Sequence, residues 1–130
     1  MPTPTDDALP RRLADFATLG EALDYAAQGV RGLNFHDPRG TLIRPYPFSE
    51  LRLDALEMAY RLIAHGVKPG DRIALILPEN HEFVLAFLGA SMAGLVPVPL
   101  YPGATFKTAA SYLDHVGHII EAAVLNVAPG

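Results

Sequence analysis

The hydrophobic pattern changes in the second half of the chain, where two apolar runs, IALIL and LVPVPL, show no polar alternation. Such runs are typical of parallel strands covered on both faces. We therefore predict one strand over Ile73–Leu77 and a second over residues 95–100. The segment between them predicts a helix that begins near His81 and is closed by Gly94.

The same order continues beyond the second run. A third helix is predicted from Phe106 to about Ala123, and a third strand over Val124–Val127. Strands that alternate with helices across short connections predict right-handed βαβ units and a parallel sheet, which is an α/β fold.

The first half shows shorter elements. Thr18 and Glu21 have the spacing of a capping box, which predicts a helix running to about Gln28. DPRG has turn residues in turn positions, and it lies between two short extended runs. We predict a β-hairpin that pairs Leu33–His36 with Thr41–Arg44.

A further helix is predicted from about Glu50 to His65, with Ser49 as its N-cap. Its apolar residues recur at helical spacing, and we expect them to face the core. They are Leu53, Leu56, Ala59, Tyr60 and Ile63, with Leu62 on the flank.

The stretch from Phe83 to Gly103 carries no charge, and its length raises the alternative of a membrane anchor. Gly94 ends the predicted helix well short of a bilayer's thickness. Pro97 and Pro99 would each remove a backbone donor from a continuing helix, at about 3 kcal/mol apiece. We therefore interpret the stretch as a buried helix followed by a short strand at a sheet edge or an irregular end.

Composition narrows the classes of function. The 130 residues carry a net charge of −4 and no cysteine, which excludes disulfides, thiolate zinc sites and a cysteine nucleophile. No block of lysine or arginine indicates nucleic acid as a partner. The opening MPTPTDDALPRRL lacks the pattern of a secretory signal, so we expect a cytoplasmic protein. We interpret residues 1–17 as a loose lead-in and residues 18–130 as the folded part.

The chain offers few candidates for chemistry. Asp114, His115, His118 and Glu121 share the third predicted helix, but they lie on or beside the face opposite its apolar residues, where Lys107 also lies. We interpret them as a solvated helix face rather than a metal site. The apolar side comprises Ala109, Tyr112, Leu113, Val116, Ile119 and Ile120.

Other reactive residue types lack the context that chemistry needs. Ser91 lies inside a predicted helix and not in a G-x-S-x-G elbow, and no glycine-rich phosphate loop is present. His36 and His81 are interpreted as surface or capping residues. From the residues we therefore assign no catalytic, cofactor-binding or metal-binding residue.

Three stretches in order resemble the opening of the adenylate-forming (acyl-activating) superfamily. They are YPFSEL (Tyr46–Leu51), the run from Gly66 to Pro102, and EAAVLNV (Glu121–Val127). VPLYPG is similar to the corresponding segment of the fatty-acyl-AMP ligase branch, with Gly103 where a proline is common. The resemblance implies the N-terminal part of such an enzyme: a β-hairpin plus a βαβαβ parallel-sheet unit with helices on both faces.

The resemblance also implies an activity for the full-length enzyme. Such enzymes use ATP and Mg²⁺ to convert a fatty acid to an acyl-adenylate, and they pass the acyl group to the thiol of CoA or of an acyl-carrier protein. The family's phosphate loop, magnesium-binding acid and mobile lysine have no counterpart in these 130 residues. We therefore expect a scaffold role without catalysis by this chain alone. A stand-alone, non-catalytic binding or interaction module is the alternative.

Overall fold

A computed structural model of the chain describes residues 9–100, 110, 111, 113, 114, 117 and 118. Its helices and strands alternate in a mixed α/β order. They are α1 (Leu19–Ala26), β1 (Gly32–His36), β2 (Leu42–Pro47), α2 (Phe48–Ala64), β3 (Arg72–Leu75), α3 (Asn80–Met92) and β4 (Val96–Pro99). The α/β class is confirmed. The third predicted strand, Val124–Val127, lies outside the described residues.

The capping box at the start of α1 is confirmed. The Thr18 hydroxyl accepts a hydrogen bond from the Glu21 amide at 3.1 Å, and the Glu21 carboxylate accepts one from the Ala17 amide at 3.0 Å. These bonds satisfy donors that a helix start leaves without partners. The helix ends at Ala26, two residues before the predicted end, and a turn follows.

The predicted hairpin is confirmed, and its second strand is longer than expected. Strands β1 and β2 pair antiparallel, with Leu33 opposite Tyr46 and Phe35 opposite Arg44. The Asp37 carboxylate accepts hydrogen bonds from two turn amides, which holds the DPRG turn closed.

The predicted N-cap at Ser49 is wrong. Helix α2 begins at Phe48, and Pro47 occupies the cap position without a side-chain hydrogen bond. The Phe48 amide donates instead to the Arg31 carbonyl at 2.9 Å. Strand pairing therefore continues directly into the helix, and Ser49 already lies inside its first turn.

The predicted buried face of α2 is largely wrong. Leu51, Ala55 and Ala59 are buried, whereas Leu53, Tyr60 and Ile63 are exposed. The reason lies in α3: a side chain at Gly89 would come within 2.5 Å of Met58. The missing side chain of Gly89 leaves the space that Met58 fills, and Ala59 packs in one cluster with Ala90 and Ala93, so this side of α2 faces α3.

Helix α3 connects two parallel strands, as predicted. Strands β3 and β4 pair parallel, with Ile73 opposite Pro97 and Leu75 opposite Pro99. The helix ends at Met92, and Gly94 follows with a φ of +80°, a conformation that glycine adopts without steric cost. Gly94 therefore turns the chain into β4, as the sequence predicted.

Pro97 and Pro99 have no backbone amide hydrogen, but they lie at positions of β4 that do not donate to β3. The amides of Val96 and Leu100 donate to the carbonyls of Asp71 and Leu75. Since successive residues of a strand point their backbone groups to opposite sides, the nitrogens of Pro97 and Pro99 point away from β3. The edge of β4 that faces away from β3 therefore lacks amide donors at Pro97 and Pro99. This agrees with the prediction that the two prolines lie at a sheet edge or an irregular end.

Only one face of the β3–β4 sheet is covered by the described residues. Helix α3 packs on that face, next to the buried Leu75. On the other face Ala74 is exposed, and Ile76 and Val96 are 39% and 42% exposed. The apolar sequence of β3 predicted that other elements cover both faces of the sheet. Cover of the second face stays a prediction.

The core consists of two clusters. The first joins α1, the hairpin and α2 through Leu23, Tyr46, Leu51 and Ala55. The second joins α2, α3 and the residues that precede β4, through Ala59, Ala90, Ala93 and Leu95. Met92 packs against both clusters, so α3 links the hairpin half of the fold to the sheet half.

Tyr46 is the largest fully buried side chain among the described residues, and it makes the polar contact between β2 and α2 in the first cluster. Its hydroxyl donates to the Asp54 carboxylate on α2, and the Arg44 guanidinium lies 4.0 Å from its ring centroid. Burial raises the pKa of Tyr46, and the hydrogen bond to Asp54 and the charge of that carboxylate raise it further. The neutral phenol is therefore part of the folded structure.

Part of the third predicted helix falls among the described residues. Positions 110, 111, 113, 114, 117 and 118 are helical. Asp114 and His118 are exposed, as predicted for the solvated face, but Leu113 is 67% exposed although it was predicted to face the core. The remainder of that helix, with Lys107, His115 and Glu121, lies outside the described residues.

A side chain at position 89 should separate α2 from α3. Gly89→Ala gains about 1 kcal/mol of helix propensity, but its Cβ would lie 2.7 Å from the Met58 Cβ and 3.2 Å from the Ala55 carbonyl oxygen. We expect a net loss of about 1–3 kcal/mol in the free energy of unfolding, measured by urea denaturation.

Gly20→Ala is the matched control for that change. Gly20 is also helical, and a Cβ there would meet Met92 and Thr18 at ordinary contact distances of 3.6 and 3.7 Å. This variant should keep or slightly raise the stability. Equal losses in the free energy of unfolding of the two variants would show that the close α2–α3 contact is not the reason for the effect at position 89.

Removal of the Tyr46 hydroxyl should give a pH-dependent effect. Near neutral pH we expect Tyr46→Phe to lower the free energy of unfolding by about 1–2 kcal/mol, because a buried hydrogen bond to a carboxylate is lost. Above pH 10.0, the ordinary pKa of tyrosine, the unfolded parent chain ionises this group while the folded chain does not. The free energy of unfolding of the parent then falls by up to about 1.4 kcal/mol per pH unit, and that of the variant does not show this fall.

Urea denaturation at pH 7, 9 and 11 checks this expectation. The stability difference between parent and Tyr46→Phe should narrow between pH 9 and pH 11. Tyr60→Phe, whose ring is 69% exposed, serves as the control and should change the stability by less than about 0.5 kcal/mol. A difference that stays constant with pH would contradict the raised pKa.

Candidate functional site

An apolar groove lies between α1 and α3, and we call it the α1–α3 groove. It has a volume of about 470 Å³, and α2 and β1 close its base. All its lining side chains are apolar: Leu19, Ala22, Leu23, Ala26, Leu33, Phe48, Leu51, Phe83, Val84, Phe87 and Leu88. The volume suits a ligand or a packed side-chain cluster, but no charged group reaches the groove.

The local sequence explains why the groove is free of polar groups. On α1, residues 19, 22, 23 and 26 recur at helical spacing and form one apolar stripe. On α3 there is no charged residue from Phe83 to Met92, and apolar residues occupy every side of the helix. Phe83 and Phe87 stack along the groove wall with their ring centroids 6.0 Å apart.

The main cluster of polar side chains lies elsewhere, where the hairpin meets α2. Arg44 donates to Glu50 at 2.8 Å and lies 3.9 Å from Asp54, which accepts the hydrogen bond from Tyr46. Each of these groups has a protein partner, and none points into the α1–α3 groove. The cluster therefore ties β2 to α2 and has no free group for chemistry.

The other ion pairs have the same structural character. Arg52 pairs with Asp24 and joins α2 to α1, while Arg61 pairs with Glu57 within α2. In the lead-in, the hydrogen bond from Arg12 holds the pKa of Asp15 below its ordinary value. Exposed pairs of this kind contribute little to stability.

Of the residues singled out in the sequence, those that the structure describes contact their own helix or a neighbouring ring, or lie exposed. Ser91 donates to the Phe87 carbonyl at 2.8 Å inside its own helix, and His81 makes an edge contact with the Phe35 ring. His36 is exposed, and His118 contacts the Asp114 carbonyl one turn earlier on its helix. Across the described parts of the chain, no three of these ligand types gather as a metal site would require.

The described residues do not fit ATP or Mg²⁺. A nucleotide needs donors for its phosphates, and Mg²⁺ needs oxygen ligands near them. The α1–α3 groove offers neither, and the carboxylates of the hairpin cluster are engaged by Arg44 and Tyr46. The absence of catalytic, cofactor and metal residues stays a prediction for the chain as a whole.

Sequence reasoning missed the α1–α3 groove, although one signal was available. The uncharged run Phe83–Met92 was interpreted as a buried helix, but a helix that is apolar all round needs cover on every side. That requirement could have indicated an additional packing surface. Within residues 9–100 and the six described helical positions after them, no helix is long and apolar enough to cross a membrane.

Comparison with protein families gives one match over most of the chain. Residues 42–123 match the family of AMP-binding enzymes. The chain is 37% identical over all 130 residues to a protein of Caulobacter vibrioides whose provisional name is acyl-CoA synthetase, and it spans 23% of that protein. It is also 59% identical over 64 residues, 49% of this chain and 11% of the relative, to a long-chain-fatty-acid–AMP ligase of Mycobacterium tuberculosis.

Solved structures show the same likeness in three dimensions. One from a study of fatty acyl-adenylate ligases of E. coli and L. pneumophila superposes with a TM-score of 0.79 at 39% identity, over 86% of this chain and 20% of that one. A fatty acid AMP ligase from Legionella pneumophila superposes with a TM-score of 0.70 at 28% identity, over 82% of this chain and 18% of that one.

The match therefore includes both the sequence motifs and the arrangement of the hairpin, helices and parallel strands, while the matched part of the chain spans between 11% and 23% of the length of these relatives. The chain belongs to the AMP-binding enzyme family, the adenylate-forming enzymes, whose N-terminal part it resembles.

Proposed function

We propose that this chain forms the N-terminal structural part of an ATP-dependent fatty-acyl-AMP ligase. The complete enzyme would form a fatty-acyl-adenylate with release of pyrophosphate, and ATP and Mg²⁺ would bind to parts outside these 130 residues. The observation that carries the proposal is the 39% identity to a solved fatty acyl-adenylate ligase structure at a TM-score of 0.79. We place the enzyme in the cytoplasm, for which a net charge of −4 is ordinary.

The contribution of this part is mechanical support for the active site. It supplies a parallel strand pair in which the outer edge of β3 and the second face have no partner among the described residues, so that further strands and helices can extend both. In open α/β sheets, ligands bind outside the carboxyl ends of the strands. The part described here positions two of those strands, β3 and β4.

A stand-alone binding module is the second candidate. The α1–α3 groove favours it, since apolar cavities of this size bind small ligands in many proteins. The rest of the surface favours the structural part: Leu53, Tyr60 and Ile63 on α2 are exposed, and the open face of the sheet exposes Ile76 and Val96. Independent soluble proteins rarely present so many apolar surfaces to water.

The acyl acceptor of the complete enzyme is a carrier-protein thiol or that of CoA. The relatives include both kinds of name, a fatty-acid–AMP ligase and an acyl-CoA synthetase. A segment of 64 residues is 59% identical to the former, whereas the chain as a whole is 37% identical to the latter, and we propose the AMP-ligase type with a carrier protein as acceptor. Thioester formation with CoA and with a carrier protein, compared in the complete enzyme, distinguishes the two.

Replacement of the matching segment in a relative tests the structural role. We expect the 130-residue chain alone to give no ATP–pyrophosphate exchange with fatty acids. The same chain, grafted into the fatty acyl-adenylate ligase of known structure in place of its matching segment, should restore exchange to within about tenfold of that ligase. A loss of tenfold corresponds to about 1.4 kcal/mol, which imperfect packing at a new interface can account for.

The control is the ligase without its matching segment, which should be inactive. Exchange by the isolated chain would show that an active site lies within these residues and would overturn the proposal. A folded graft that binds ATP but gives no exchange would favour the stand-alone module instead.

A further inference from the structure

The α1–α3 groove needs an occupant. Helix α3 is apolar on all sides from Phe83 to Met92, and a helix of this composition is stable only when it is buried all round. Helix α2 covers it at Gly89, and the cluster around Ala90 covers the sheet side. Phe83 and Phe87 remain only half-buried along the groove.

The described part of the chain does not supply that occupant. Leu113 is 67% exposed, and a side chain at Gly117 would meet nothing within 4 Å, so these positions do not lie in a groove. The first eight residues, MPTPTDDA, carry two aspartates and few apolar side chains. Their composition does not match an uncharged groove.

The chemistry of the groove selects the kind of segment that fits. Its lining is apolar throughout and offers no hydrogen-bond partner to a backbone. An extended segment would bury amides and carbonyls without partners, at a cost of about 1–3 kcal/mol for each group. A helix satisfies its own backbone and can pack between the ridges of α1 and α3.

We propose that the α1–α3 groove is an internal interface of the complete enzyme, and that an apolar helix from beyond the matched segment packs there. This inference rests on the proposed function, because the helix comes from the remainder of an adenylate-forming enzyme. The relatives provide the necessary length, since the chain spans only 20% of the matched fatty acyl-adenylate ligase structure.

Thiol protection in the grafted ligase tests the proposal. The chain has no cysteine, so Ala22→Cys introduces a single probe among the side chains that line the groove, and the other cysteines of the host are replaced. Leu13→Cys, at a lead-in position that is 79% exposed, is the matched control. We expect a bulky thiol reagent to label Cys at position 22 roughly tenfold or more slowly than at position 13.

The outcomes separate this inference from the proposed function. An active graft in which both cysteines react alike would overturn the covered groove and leave the proposed function standing. Protection at position 22 in a graft without exchange activity would support the groove and contradict the proposed function. In the isolated chain, the cysteine at position 22 should lose its protection. Protection in the isolated chain would overturn the inference, whether light scattering shows the chain to be a monomer or a dimer.

A second placement of the probe covers the case of a graft that does not fold. The cysteine is introduced at the position aligned with Ala22 in the fatty acyl-adenylate ligase itself, whose fold is known. We expect protection there as well. Rapid labelling in that protein would overturn the inference independently of the graft.

Discussion

The close approach of α2 to α3 is the contact on which the rest of the structure depends. Gly89 leaves room for Met58, and the fully buried Ala55 and Ala90 lie on the facing sides of the two helices. Both core clusters contain residues of α2, and Met92 of α3 packs against both. Because interiors are close-packed, a side chain added at this point cannot be absorbed without moving a helix. The hairpin, held on α2, and the parallel strands, held on α3, would then lose their common support.

The same contact determines which apolar surfaces remain open. A helix can present only one side to its partner, so the alanine side of α2 is buried and its second apolar stripe, with Tyr60 and Ile63, is left in solvent. On α3 the α2 contact and the sheet use two sides, and the third becomes a wall of the α1–α3 groove. The open surfaces are therefore a consequence of the core packing and not of poor folding. Under the proposed function, further parts of the enzyme cover them.

Local signals were sufficient for most of the elements. Thr18 with Glu21, and Gly94, act within a few residues, and the structure confirms the helix ends that they mark. The predictions were wrong where a residue distant in sequence determines the structure. The Phe48 amide donates to the Arg31 carbonyl, and α2 therefore begins earlier than predicted. The buried face of α2 depended on Gly89, about thirty positions away from its alanines, which no periodicity within α2 reveals. The groove depends on three helices and was not predictable from any one of them.

The distribution of charge in the described residues agrees with the proposed structural role of this segment. Arg44, Arg52 and Arg61 each pair with a carboxylate of the same chain, and the phenol of Tyr46 is kept neutral by burial. Such groups join elements to one another, so their loss lowers the folded fraction and leaves the reacting atoms of the complete enzyme unchanged. Substitutions in this segment would then lower activity through the concentration of active enzyme, with KM unaffected. A segment that acts in this way can diverge in its surface charges while its small residues at the α2–α3 contact stay constrained.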